Sequence, residues 1–559
     1  VETERVPHEE EPARAAAGQA DGAKLPDRTA RWRTAWQYEG LLRPARVKPA
    51  ARVSPDIVDL GRVVELGEIR VTRRSGKWYP AKMPEGVRVA VPDEDGATPP
   101  PDGPGWREID VPVVSRPGVH TDNYGEAHPV PDDYQALELD GLPARWVRAP
   151  EVDLLAFYER GRREARRPLH LDVADLTGEG ERVILVRPPS WPKFIRSRDV
   201  EDDALALLDP SGHERLQLEP QQDVQAVRLL DWLGTGRRQL LMATVDARIH
   251  VFDADGTPLR TMDLYQMHQR FNATAGRPNT RHPAGGFTMP YSLGLWRRGP
   301  DRAARIVVSR YCAFSFLDER GEFEGVLMAG GYVTPELLPE GLDFDGDGRD
   351  EQVCLARGTV WRISGTSEPY VSEPEGEMFY PQVYRAEALR EPAWSAHIDG
   401  PRTFVFEPVR GEDPPRHVLV VRQNYVGGYD GREHRWAFTW APLVDMTAAT
   451  CRQSPDGLIE VAAVTRDGVL WTFRWHGDLE QAPERDARPV SATVTAMSAG
   501  ADGELVLATP YGLVLERDGQ GARILDGAFT DVALLGGRVA DGIIAARDDG
   551  RIVRLDPAD

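Results

Sequence analysis

A short apolar strand recurs from about residue 169 to the end of the chain, and it constrains the fold more than any other feature. It appears at Val183-Ile184-Leu185-Val186, Gln239-Leu240-Leu241-Met242, Ile306-Val307-Val308, Gln352-Val353-Cys354-Leu355, Val418-Leu419-Val420-Val421, Glu460-Val461-Ala462-Ala463, Leu505-Val506-Leu507 and Ile543-Ile544-Ala545-Ala546. Spread over about 390 residues, these copies fall roughly one per 49, the length of one β-propeller blade. Most are followed by a second strand with an Asp/Gly turn, as in 249–259 (IHVFDADGTPL) and 314–324 (FSFLDERGEFE). Each unit is then an antiparallel meander that buries both faces only by packing on its neighbours. The expectation is a seven- or eight-bladed propeller over 166–559, its ring closed by a strand near residue 170.

Composition supports an all-β chain: 53 Gly and 46 Pro among 559 residues imply many turns, and 41% apolar residues suffice for real cores. The net charge of −21 argues against nucleic acid or an anionic membrane as partner. The longest apolar runs are strand-sized, so no membrane-spanning helix is expected. Cys312, Cys354 and Cys451 are far apart and lack zinc or redox-pair spacing. No basic and apolar leader opens the chain, so any signal peptide is expected to have been removed, with an extracellular location for the mature protein.

Residues 1–44, charged and rich in Ala, Gly and Pro at their start, are expected to be a flexible leader. From about 45 to 165 short alternating segments, among them Glu68-Ile69-Arg70-Val71 and Arg145-Trp146-Val147-Arg148, predict a β-sandwich. The ordered motifs DIVDLGRVVELGEIRVTR (56–73), VRVAVPDEDG (87–96), Trp106-Arg107-Glu108-Ile109 and LDGLPARWVRAPEVDLLAFYERG (139–161) resemble the discoidin, or coagulation-factor C-type, jelly roll. That resemblance implies a galactose-binding-like module that binds a glycan through loops at one end. The stretch from Asp95 to Asp133, with Trp106, His120, Asp122, Asn123, Tyr124 and His128, is long enough to supply such a loop.

Three blades begin with a Gly-bearing loop in register: Asp175 to Gly180, Asp231 to Gly236, and Asp343-Phe344-Asp345-Gly346-Asp347-Gly348-Arg349-Asp350. They resemble the FG-GAP or VCBS repeats of extracellular propellers, in which the DxDGDGxxD form is a calcium loop. The chemistry fits the third copy: alternating carboxylates in a tight turn aim oxygens at one centre, as a hard divalent cation requires. Asp343, Asp345, Asp347 and Asp350 are therefore the expected calcium ligands.

Chemistry is sought where sequence exceeds what a blade needs. The stretch 264–291 holds Tyr265, His268, Arg270, Arg277, Arg281, His282 and Tyr291. Arg beside His and Tyr suits β-elimination of a uronate-containing polysaccharide: Arg pairs with the carboxylate, and His or Tyr moves the proton. His268, His282, Tyr265, Arg270 and Arg281 are the candidate catalytic set of a polysaccharide lyase. Trp106, Tyr124, Tyr425, Tyr429 and His434 are candidate ligand-binding residues, while Trp436, Phe438 and Trp440 alternate as a core strand does. The copper oxidases that join such a module to a propeller need an adjacent Tyr-His pair, which this sequence lacks. Two readings remain: a secreted protein that binds and cleaves polysaccharide, or an adhesion protein whose propeller face recognises a glycan or a protein.

Overall fold

A computed structural model describes residues 28–71, 82–92, 98–100, 105–121, 127–166, 169–187, 204–218, 224–244, 247–267, 270, 290–297, 304–310, 313–328, 336–356, 359–363, 383–387, 403–433, 435–454, 456–490, 493–517 and 519–558. Among these residues, eight four-stranded antiparallel sheets follow one another along the chain. Blades 1 to 7 run over 170–218, 224–263, 292–328, 336–387, 403–440, 446–489 and 496–526, and blade 8 combines 529–557 with 32–38. The first strands touch between blades 2 and 3, 3 and 4, 5 and 6, 6 and 7, 7 and 8, and 8 and 1, so they are the innermost strands of the ring. The chain is thus a β-propeller, as the repeats predict.

The apolar runs are continuous because the second strand of each blade is buried on both faces. In blade 1, Ile184 and Val186 share a core with Ile544, Ala546 and Ile552 of blade 8. Val183 and Leu185 point the other way, into a core with Val227, Leu240 and Met242 of blade 2. One strand therefore stabilises two interfaces through its period of two. The same division repeats around the ring, for instance between blades 5 and 6 through Leu419, Val421, Val461 and Phe473.

Ring closure differs from the expectation. His170–Asp175 is the innermost strand of blade 1, whereas Trp32–Tyr38 completes blade 8 by pairing antiparallel with Ile552–Pro557, Trp32 opposite Pro557 and Tyr38 opposite Ile552. The region 1–44 is accordingly not all leader: its described part holds this strand and the start of Leu42–Val47. Trp32–Tyr38 escapes sequence reading because it is an outer strand, half exposed, with Arg33, Thr34 and Gln37 between its aromatics.

The N-terminal module is an insertion between the closing strand and blade 1. Its strands Leu42–Val47, Leu155–Ala165, Ile57–Val71, Ala127–Arg148, Arg88–Ala90 and Arg107–Glu108 lie side by side in that order, with Ala51–Ser54 on Ile57–Val71 and Val113–Thr121 on Ala127–Arg148. The long strand Ile57–Val71 shifts register against Ala127–Arg148 between Asp59 and Val64 and again between Leu66 and Glu68. Side chains from both ends of these strands, including Val58, Leu66, Ile69, Leu137, Val147 and Phe157, share one core. Part of the stretch from Asp95 to Asp133 is sheet rather than loop, since Val113–Thr121 and Ala127–Arg148 form a hairpin. The module joins the ring at two adjacent crossings, where Arg166 N donates to Leu41 O at 2.7 Å, and Leu41 and Leu169 sit in the blade 1–blade 8 core. Among the described residues no helix is long and apolar enough to cross a membrane.

Candidate functional site

The three Gly-bearing loops share one geometry. Asp175 accepts the backbone N–H groups of Thr177, Gly178 and Gly180; Asp231 accepts those of Thr235 and Gly236; Asp343 accepts those of Gly346, Asp347 and Gly348. Both glycines of each loop have positive φ, which lets the turn wrap around the carboxylate. The second residue of each loop, Leu176, Trp232 or Phe344, is buried as an anchor. The loop conformation therefore forms with or without further carboxylates. In the third loop Asp343 and Asp345 lie with Glu351 so that one oxygen of each falls within 4.8 Å of the others, about twice a calcium–oxygen distance. Glu351 is a ligand candidate that the motif does not name. Asp347 and Asp350 are turned elsewhere: Asp347 Oδ1 accepts Arg349 N, and Asp350 Oδ2 accepts Arg297 N, both at 2.9 Å. Burial pushes the Asp350 carboxyl up to about 6.

A second acidic cluster, His417, Asp430 and Glu480, already contains a cation: the Arg416 guanidinium bridges Asp430 and Glu480. Glu412 accepts from His417 Nδ1 at 2.5 Å and fixes that ring.

The aromatic candidates lie inside the protein. Tyr425 is 2% exposed and Tyr429 0%, both in the core between blades 4 and 5 and both edge-on to Trp436. The neighbouring glycines make room for protein rather than ligand: a Cβ on Gly427 would stand 2.7 Å from Trp436, and one on Gly428 2.9 Å from Leu479. Trp106 is buried in the module with Ile57, Ala90 and Trp146, donates Nε1–H to Pro100 O at 3.1 Å and lies under Arg148. None of the three is a stacking surface. Phe438 and Trp440 pack in the blade 5–blade 6 core, as their alternation predicts. Of the lyase set, Tyr265 is half-buried against the core of blades 2 and 3, and Arg270 is exposed with Nε donating to Gln266 O. His268, Arg281 and His282 lie outside the described residues, as do Tyr124 and His434.

Chemistry-bearing side chains instead gather at one end of the channel. By strand register, the start of each first strand stands beside the end of the second: His170 opposite Arg187, Ser292 opposite Ser309, Thr403 opposite Arg422. That end of the ring, the mouth, thus carries Arg187, Arg310 and Arg422 from blades 1, 3 and 5. The strands flanking 264–291 also open on this end. Arg310 is wholly buried, which pushes its guanidinium down to about 10. Below the mouth, Arg228 of blade 2 approaches Glu336 of blade 4 at 3.8 Å and is close enough to Arg187 and Asp172 to feel their charges. Burial lowers its pKa. Arg187 Nε donates to Asp172 at 2.8 Å. Tyr425, between Arg422 and Glu336, is pushed up to about 12 by burial.

Among the described residues, several buried neutral groups at this end have no hydrogen-bond partner: both amide atoms of Gln225, Ser309 Oγ and Asn424 Oδ1. Gln225 occupies a bulge at the start of the first strand of blade 2. Sequence reasoning missed these residues. For the arginines a usable signal was present, an Arg one or two residues after the apolar run, as in Val186-Arg187, Val308-Ser309-Arg310 and Val421-Arg422.

No protein-family model matches the chain, and no curated protein matches it. Among solved structures, it is similar to BBS1N in its complex with ARL6DN, at 12% identity and TM-score 0.39, over 69% of this chain and 91% of that one. BamB from Moraxella catarrhalis matches at 12% and 0.39, over 69% and 94%. The Cps50 (Swd1) β-propeller domain of Myceliophteria thermophila matches at 15% and 0.34, over 60% and 97%. At these scores none carries an argument about function, and the propeller assignment rests on the sheets themselves.

Proposed function

We propose that this is an extracellular recognition protein that binds a glycan at the propeller mouth. The observation that carries the reading is the group of buried, unmatched amide and hydroxyl atoms there, Gln225, Ser309 and Asn424. Leaving a buried polar atom unpaired costs about 1–3 kcal/mol, and a hydroxyl-rich ligand offers both donors and acceptors to such a surface. The inserted module, which resembles a discoidin-like sandwich, would give the same polymer a second hold and raise its effective concentration at the mouth. Calcium belongs to this reading as a structural ion held by Asp343, Asp345 and Glu351 in the FG-GAP-like loop of blade 4.

Isothermal titration of the full chain against neutral and acidic polysaccharides tests the main claim. Saturable binding to at least one, weakened by Asn424→Ala, is expected; no binding to any of them would sink it. The same mixtures report on cleavage, because β-elimination creates an unsaturated product with its own ultraviolet absorbance. Chelation should lower the melting temperature of the wild type and leave Asp345→Ala unmoved.

A further inference from the structure

The charged groups beneath the mouth say more than that a glycan binds. Resting on the glycan reading, we infer that the channel between blades 1, 2 and 4 is a carboxylate site centred on Arg228, so that the ligand is a uronate-bearing polysaccharide.

Arg228 is held by weak contacts only. Among the described residues its Nε–H is buried with no partner, its NH1 group reaches Val227 O at 3.5 Å, and the nearest carboxylate oxygen, on Glu336, is 3.8 Å away. A guanidinium presents five donors in a planar fork matched to a carboxylate, and this fork is largely unspent on the protein. Arg187 stands close by with the same charge. The two guanidinium groups repel each other, Asp172 offsets part of that cost through Arg187, and a ligand carboxylate on Arg228 would offset more.

Asp172 and Glu336 narrow the choice of anion. Asp172 takes one edge of Arg187, and Glu336 lies beyond hydrogen-bond reach of Arg228 but near enough to repel added negative charge. A phosphate or a densely sulfated chain would bring more charge than this flank tolerates, whereas an isolated carboxylate suits it. The Glu336 carboxylate can also accept from sugar hydroxyls beside that carboxylate. A single-charge site on a chain of net −21 gains nothing from long-range attraction, so its selectivity is local.

The test uses the full chain and two versions of one oligosaccharide: oligogalacturonate and its carboxyl-reduced, neutral form. Wild type should bind the acidic form at least tenfold more tightly. Arg228→Gln should erase that advantage while still binding the neutral form, and this retained binding also reports that the variant is folded. Glu336→Gln should tighten the acidic form several-fold, a change of sign that a folding defect would not give. Equal binding of both forms by wild type, unchanged in Arg228→Gln, overturns the carboxylate site and leaves the glycan reading standing. Displacement of oligogalacturonate by inorganic phosphate or a sulfated oligosaccharide at comparable concentration overturns the choice of carboxylate. Failure of every neutral and acidic polysaccharide to bind overturns the glycan reading itself.

Discussion

Blades 6 and 7 solve at the mouth a problem that blades 2, 3 and 5 leave open. At the end of the second strand, blades 6 and 7 carry Thr465 and Thr509, whose hydroxyls donate to Val469 O and Gly512 O and close their own turns. At the same place blades 3 and 5 carry Arg310 and Arg422. The innermost strands repeat the contrast. The bulged residue is Thr447 in blade 6 and Thr530 in blade 8, each bonded to a carbonyl of the adjacent strand, but Gln225 in blade 2, with neither amide atom bonded. Blade 2 also has the closed form of turn, through Thr244, so it mixes the two solutions. Short hydroxyl side chains turned back on the backbone hold the ring; the Gln225 amide, at a matching position, is surplus to it. That surplus is where binding is to be sought.

The largest expected effect concerns the far end of the ligand-bearing arc. Phe344, wholly buried, fills the space above Gly431, so Phe344→Ala should destabilise the chain by about 3–5 kcal/mol. Chemical denaturation measures it, and a loss below about 1 kcal/mol would mean that the loop does not couple blades 4 and 5. Thr509→Val removes a hydroxyl that donates to Gly512 O and accepts from Tyr511 N and Gly512 N. Stability should fall by about 1–3 kcal/mol with glycan affinity unchanged; altered affinity would break the contrast between the arcs. Gln225→Thr copies the blade 6 solution into blade 2. It should stabilise by about 1 kcal/mol and weaken binding, and a destabilised protein with intact binding would show Gln225 to be structural.

The smallest effect is one of pH. Burial pushes the Asp350 carboxyl up to about 6 in the folded chain, against an ordinary value of 3.8. The native state therefore binds more protons than the unfolded state between those values, and stability falls as pH rises through that window. Partial solvent screening keeps this below about 1 kcal/mol. Asp350→Asn should flatten the slope in a melting series from pH 4 to 7.

How much of this was legible follows from burial. The second strands declared themselves because both their faces are covered, so Val183 to Val186 or Val418 to Val421 read as unbroken apolar runs. The Asp343 loop was legible through its glycines and alternating carboxylates. Glu351 was not, because it follows the motif and joins it only when Leu342 and Glu351 pair across the loop. Aromatics beside glycines at 425–429 suggested a sugar platform, yet those glycines accommodate Trp436 and Leu479. Arg187, Arg228, Arg310 and Arg422 look like ordinary strand ends or strand interiors one at a time. Only the packing of the blades brings Arg187 and Arg228 near one another and near Glu336.

The seal made by Trp32–Tyr38 against Ile552–Pro557 joins segments about 500 residues apart. On a ribosome adding roughly 5–20 residues per second, the first half of that seal waits about half a minute to two minutes for the second. Throughout that interval the ring is an open arc with bare strand edges at both ends, and the inserted module is finished long before it closes. A chain cut before Ile543 lacks two strands of blade 8, and stays an unclosed stack with exposed strand edges. Joining the two ends of the ring is thus the last step of folding that the order of its strands along the chain allows.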